Sequence, residues 1–171
     1  MPAFGLSSAG AILVGQCIGA GHKEQVPRVV RLTWGAAVAW QMLVSLFYLG
    51  LPLLLLSPFA NAQSRAAGLL VVGARMLRLS AAWQLFDATV SALSECLRAA
   101  GDTAFPMWSR ILLSWFFFMP GAWYSVRVLD YGDLAAVLWV VLYLAALALV
   151  LWLRYRSGAW RRIQLVEPGP H

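Results

Sequence analysis

Long runs without a charged side chain, separated by short segments rich in Lys and Arg, organise this sequence. Residues 2–20 carry no charge and are just long enough to cross a hydrocarbon core of about 30 Å as a helix. Residues 32–64 are also uncharged, and Pro52 and Pro58 mark where a helix would weaken, so a second span is predicted over 32–56. Residues 66–78 begin apolar and end on Arg75 and Arg78, the pattern of an interfacial turn leading into the membrane. Three further spans follow at 79–97, 105–126 and 134–153. The third span is the least apolar. In the fourth, Arg110 lies near enough to the start to snorkel, and Pro120 is placed to kink the helix.

Composition supports this reading. With 61% apolar and 12% charged residues in 171, the chain carries more apolar surface than a soluble domain of its size can bury. The partition into five spans then sorts the basic residues. Lys23, Arg28, Arg31, Arg98, Arg110, Arg154, Arg156, Arg161 and Arg162 fall on one side, and Arg65, Arg75, Arg78 and Arg127 on the other. By the positive-inside rule the C-terminal tail, 157–171, is cytoplasmic, and the protein is expected in a plasma membrane, the inner membrane if its source is bacterial. Trp108, Trp123, Tyr124, Trp152 and Tyr155 stand beside span ends, where aromatic belts form. The net charge of +6 therefore belongs to juxtamembrane loops facing lipid rather than to a nucleic-acid surface.

Candidate chemistry concentrates in one span. Gln84, Asp87, Ser91, Ser94, Glu95 and Arg98 lie within a sector of about 100° at 3.6 residues per turn, so one face of this helix is polar. A carboxylate near the bilayer centre costs at least about 2.5 kcal/mol against lipid, which turns this face towards protein or a water-filled cavity. Glu95 and Arg98, three residues apart, are predicted to form a structural ion pair. Asp87 has no basic partner within a turn or two of its own helix. In the first span Ser7, Ala11, Gly15 and Gly19 recur every four residues, a small-residue stripe that reads as helix packing. Gln16 could face a cavity or, like Gln41, bond a neighbouring helix.

Cys17 and Cys96 lie in apolar stretches without metal-ligand spacing and read as small packing residues. The sequence holds no Gly-rich phosphate loop, no H-E-x-x-H and no serine elbow, and His22 and His171 lack a general-base setting, so an enzyme is not expected. No cofactor is expected either.

Two segments carry a family resemblance. GLSSAGAILVGQCIGAGHKEQ, residues 5–25, resembles the small-residue helix ending in VGQ and then GAG of multidrug and toxic compound extrusion (MATE) transporters. WQLFDATVSALSECLRAAGDTAFP, residues 83–106, is similar to the stretch where that family carries Q-x-x-D and then LRGAGDT, with Ala99 here at a usual Gly and Glu95 at a commonly small or apolar position. The resemblance implies an all-α integral membrane fold in which about five helices, the eighth to twelfth, form most of one six-helix lobe of a twelve-helix transporter. It implies antiport of small organic, often cationic, compounds against protons or sodium, with Asp87 at the family's cation-coupling position and Gln84, Ser91 and Ser94 as cavity-lining candidates. The N-terminal lobe would be the missing partner, and the chain is expected to begin partway through that architecture, as a fragment or a half-transporter. Rival readings are a lipid or polysaccharide flippase of the same superfamily and a membrane scaffold without transport.

The partition predicts topology directly. Cysteines introduced at Lys23 and Arg161 should react with impermeant thiol reagents only from the cytoplasmic side, and one at Asp130 only from outside. Labelling of position 130 from the cytoplasm rules out the five-span order.

Overall fold

The computed structural model describes residues 2–56, 69–127 and 132–163, and every regular element in these segments is helical. Helix α1 covers Pro2–Gly19, α2 Val26–Gly50, α3 Pro52–Leu56, α4 Leu69–Ala99, α5 Ala104–Leu113, α6 Met119–Arg127 and α7 Gly132–Arg156. A π-helical turn, Ser114–Phe118, joins α5 to α6, and a 3-10 turn, Ala159–Arg162, follows α7. By length and composition, α2 and residues 137–156 of α7 are apolar enough to cross a membrane, and α1 is apolar but shorter. Positions 57–68, which include Pro58 and Arg65, and Asp130 lie outside the described residues.

The elements depart from the sequence reading in several places. The second helix begins at Val26 rather than at residue 32. It closes at Gly50, and Pro52 opens the separate α3, because a prolyl nitrogen has no proton to continue the ladder. Arg75 and Arg78 stand within α4 and not in a separate interfacial turn. At 1.5 Å per residue the 31 residues of α4 are about 46 Å long, well beyond a hydrocarbon core of about 30 Å, so the arginines can ride on one continuous helix. At Pro120 the disturbance falls upstream. The Met119 amide reaches back five residues to the Ser114 carbonyl, and the π turn absorbs the bond that proline cannot make.

Helix α4 is the hub, packing against α1, α2 and α7. The buried core sits at one end of the bundle, where Val14, Val26, Val30, Leu93, Leu97, Leu147 and Leu151 meet. Trp160 joins them from the 3-10 turn, so the first part of the expected cytoplasmic tail is packed into the fold. Only a narrow stripe of α2 is buried: Val26, Val30, Thr33, Ala37 and Ser45. The rest of its apolar surface, including Leu32, Leu43, Leu46 and Phe47, faces outward, as does Leu138, Leu142, Leu149 and Leu153 of α7. Apolar side chains directed away from a polar-lined interior are what a lipid solvent selects.

Close approach of α1 and α2 depends on Gly10. A methyl group on its Cα would overlap the Thr33 side chain, whereas one on Gly15 or Gly19 would meet nothing within 4 Å. Among the described residues the packed face of α1 is Ser7, Gly10 and Val14, all buried and spaced three and four apart, whereas Gly15 and Gly19 of the expected stripe meet no described neighbour there. Gly121 plays the same part between α6 and α7, where the Trp139 ring fills the space of its missing side chain. The Trp139 indole donates to the Ser125 hydroxyl at 2.7 Å, and Phe117 meets the Trp139 ring edge-on at 5.4 Å.

Substitution separates the two kinds of glycine. Gly10→Ala should cost about 1–3 kcal/mol through overpacking, and Gly15→Ala should stay within about 0.5 kcal/mol of the parent. Thermal unfolding in detergent reads the difference, and equal midpoints for both variants contradict the assigned contact.

Candidate functional site

Helix α4 presents its polar residues at intervals of three and four, and the structure opens a cavity of about 1050 Å³ against that face. Gln84, Asp87, Ser91, Ser94, Glu95 and Arg98 all line it. Trp40, Gln41 and Tyr48 of α2 form a second wall, Phe4 of α1 closes one side, and Arg110 of α5 enters from another. Trp83 of α4 adds a further aromatic surface. Gln16 is exposed and is not among the lining residues, because α1 turns it away from α4.

Side-chain hydrogen bonds fix the rotation of α4 against α2. The Gln41 amide donates to Gln84 Oε1 at 2.9 Å, and the Ser45 hydroxyl lies 3.3 Å from the same oxygen. Farther along, the Trp34 indole donates to Thr89 Oγ1 at 3.1 Å, and the Thr89 hydroxyl donates to the Leu85 carbonyl at 3.0 Å. Gln84 is therefore committed to holding the two helices as well as lining the cavity. Between apolar helices such bonds are worth about 0.6 kcal/mol each on average, so their main effect is to set register.

The charged members divide into paired and unpaired. Arg98 donates to Glu95 at 3.0 Å, with Arg98 more than half exposed, a pair of small energetic value. Asp87 makes no hydrogen bond or ion pair with any described residue, and neither does Arg110. Arg110 is the cation whose charge acts on Asp87. Sequence spacing put Arg110 at a span end, ready to snorkel, and gave no sign that α5 would bring it to the α4 face. A carboxylate open to a cavity and without a hydrogen-bond or ion-pair partner among the described residues can accept a proton, or a hard cation that prefers oxygen ligands, with Ser91 on the same wall to assist.

The two motif segments build the turns at the other end of α1 and α4. Gly21 has φ +79°, with its amide bonded to the Ile18 carbonyl and the His22 amide to the Cys17 carbonyl. Gly101 has φ +91°, with its amide bonded to Arg98 and the Asp102 amide to Leu97. Both are Schellman closures, in which a left-handed glycine lets the last carbonyls of the helix find donors. The second turn carries an added lock that sequence spacing could not show. Asp102, 6% exposed, accepts from Arg154 Nε at 2.8 Å across 52 residues, and the Arg154 guanidinium lies over the Phe105 ring at 4.6 Å. These motif residues form the joint between α4, α5 and α7.

A helical bundle with outward apolar helices and a polar cavity against one helix fits an α-helical membrane protein, and two of its described helices are long and apolar enough to cross a membrane. The family profile described as MatE matches residues 1–123, most of the chain, and the chain belongs to that family. It is thus part of a multi-pass membrane protein. It is also similar to a Thermotoga maritima protein named probable multidrug resistance protein NorM, with 27% identity over 162 residues. That alignment takes in 95% of this chain and 34% of the relative, so the chain spans about a third of that protein's length.

The Asp102–Arg154 joint is open to test. Asp102→Ala should destabilise the bundle by about 3 kcal/mol, since it leaves a half-buried guanidinium unpaired. Adding Arg154→Leu should recover part of that loss, a coupling measured by a double-mutant cycle of thermal or denaturant unfolding. Strict additivity of the two substitutions shows that the pair is not a joint.

Proposed function

We propose that the chain forms most of the C-terminal lobe of a twelve-helix exporter that expels small organic, cationic compounds in exchange for protons or sodium. The observation that carries this reading is Asp87, a carboxylate on the cavity wall with no hydrogen-bond or ion-pair partner among the described residues. An acid so placed changes charge at little structural cost, because no hydrogen bond or ion pair among the described residues depends on its ionised form. Trp40, Tyr48 and Trp83 around the same cavity offer aromatic faces to an organic cation. The name of the Thermotoga maritima relative, a probable multidrug resistance protein, agrees with that cargo. In this reading the chain crosses the membrane five times with its C-terminus in the cytoplasm, and an N-terminal lobe completes the cavity. Substrate and coupling ion then compete for the cavity as the lobes rock about it.

A second reading, a lipid or polysaccharide flippase, is favoured by one observation, Arg110 in the same cavity with no hydrogen-bond or ion-pair partner among the described residues.

Two substitutions in the complete transporter distinguish the readings. Asp87→Asn keeps the shape and removes the titration, and ion-driven efflux should fall by about tenfold or more, a change of roughly 1.4 kcal/mol, with insertion unchanged. Glu95→Gln should do less, because Glu95 is already engaged by Arg98. Wild-type efflux in Asp87→Asn, with unchanged dependence on pH and sodium, places coupling elsewhere. Retained function in Asp87→Asn combined with loss in Arg110→Gln selects the flippase.

A further inference from the structure

A second cavity, of about 370 Å³, lies at the opposite end of α4 from α3, beside the packed turns. Pro27 of the first turn of α2, Tyr155 and Arg156 at the end of α7, and Ser157, Trp160 and Arg161 beyond it line its wall, and none of the lining residues is acidic. We infer that this cavity binds the phosphate of an anionic membrane lipid between Arg156 and Arg161.

The site is built rather than a loose basic tail. Gly158, at φ +70°, reverses the chain after α7, and the Arg161 amide bonds the Gly158 carbonyl at 3.0 Å. Trp160, 3% exposed, stacks on Tyr155 with ring centroids 6.2 Å apart and planes 2° from parallel. Its indole donates to the Tyr155 carbonyl at 3.3 Å. These contacts fix the turn that carries Arg161. The two guanidiniums rest on aromatic faces, Arg156 over Trp152 at 5.1 Å and Arg161 over Trp160 at 5.3 Å. Neither forms an ion pair with a described residue, and Arg31 adds its charge to that of Arg161 at Tyr155. A guanidinium offers paired donors to phosphate oxygens, and basic pockets between membrane helices on the cytoplasmic side suit lipid headgroups.

A lipid is favoured over a soluble phosphate by what borders the cavity. Trp152 bears Arg156 on its ring and is itself 42% exposed, and Leu149 and Leu153 continue an outward apolar surface along α7. Headgroup and acyl chains would each meet a matching surface, with an indole at the boundary.

The test uses the full chain in detergent, with its melting midpoint followed during titration by three probes. These are short-chain phosphatidylglycerol, phosphatidylcholine of the same acyl chains, and inorganic phosphate. Phosphatidylglycerol should stabilise at lower concentration than phosphatidylcholine. Arg156→Gln and Arg161→Gln should each raise the concentration needed about fivefold, while Lys23→Gln, in an exposed loop at the same end, leaves it unchanged. Arg156→Lys and Arg161→Lys keep the charge and should retain part of the preference. Equal response to the two lipids, or an unaltered preference in both glutamine variants, overturns the assignment. Stabilisation by inorganic phosphate at the same concentration overturns the lipid in favour of a soluble anion.

Discussion

The ion pair between buried Asp102 and half-buried Arg154 is the constraint on which the arrangement of this bundle rests. Helix α4 packs chiefly against α1, α2 and α7 and also touches α3 and α5, so its rotation and end point decide what every neighbour sees. Gly101 stops the helix at a defined residue, and the Asp102 carboxylate, sealed to 6% exposure, is then fixed to the last turn of α7. An ionised carboxylate at that depth is tolerated only with its partner in place, so the turn and α7 order one another. Phe105 beneath the Arg154 guanidinium extends the joint into the first turn of α5. With both ends of the α4–α5 turn tied to α7, the apolar cluster around Leu97, Leu147 and Leu151 closes beside it.

From that fixed end the polar face of α4 runs away towards α3, and its residues are put to two uses. Gln84 bonds to α2, as does Thr89 from outside that face, whereas Asp87 and Ser91 stand on the open side. The α2 contacts explain how a helix with a full polar stripe holds its position between apolar neighbours. Each bond is weak on its own, but a one-residue slip of α4 breaks all of them and carries Asp87 by 100° towards apolar surroundings. Gln41 and Gln84 thus both hold the register and line the cavity.

Local periodicity made the polar stripe readable, because residues three and four apart on a helix share a face whatever surrounds them. The grouping of Gln84, Asp87, Ser91, Ser94, Glu95 and Arg98 on one wall is of this kind. Contacts between distant segments were not readable. Nothing near Asp102 announces a partner 52 residues away, and Arg110 reaches the cavity only because the α4–α5 turn folds α5 back on α4. The small-residue stripe on α1 was ambiguous for another reason. Its glycines and serines are dense enough to define two adjacent stripes, and only the Thr33 side chain chooses Gly10 over Gly15. The sequence pattern set Arg75 and Arg78 ahead of the third span without showing that they share its helix, a single element of 31 residues.

The charges within the described helices follow one rule of placement. Asp102, the most enclosed acid, holds the strongest partner, an arginine stacked on a ring and donating at 2.8 Å. Glu95, nearer the surface, has an arginine on its own helix, one turn on. Asp87 faces the cavity and is left with neither. A carboxylate that held the fold together could not change its charge without loosening the structure, since breaking a buried pair costs several kcal/mol. Asp87 carries no such duty: α4 is positioned by Gln84, Thr89 and Asp102 instead. A change of charge at Asp87 therefore leaves in place the described contacts that position α4.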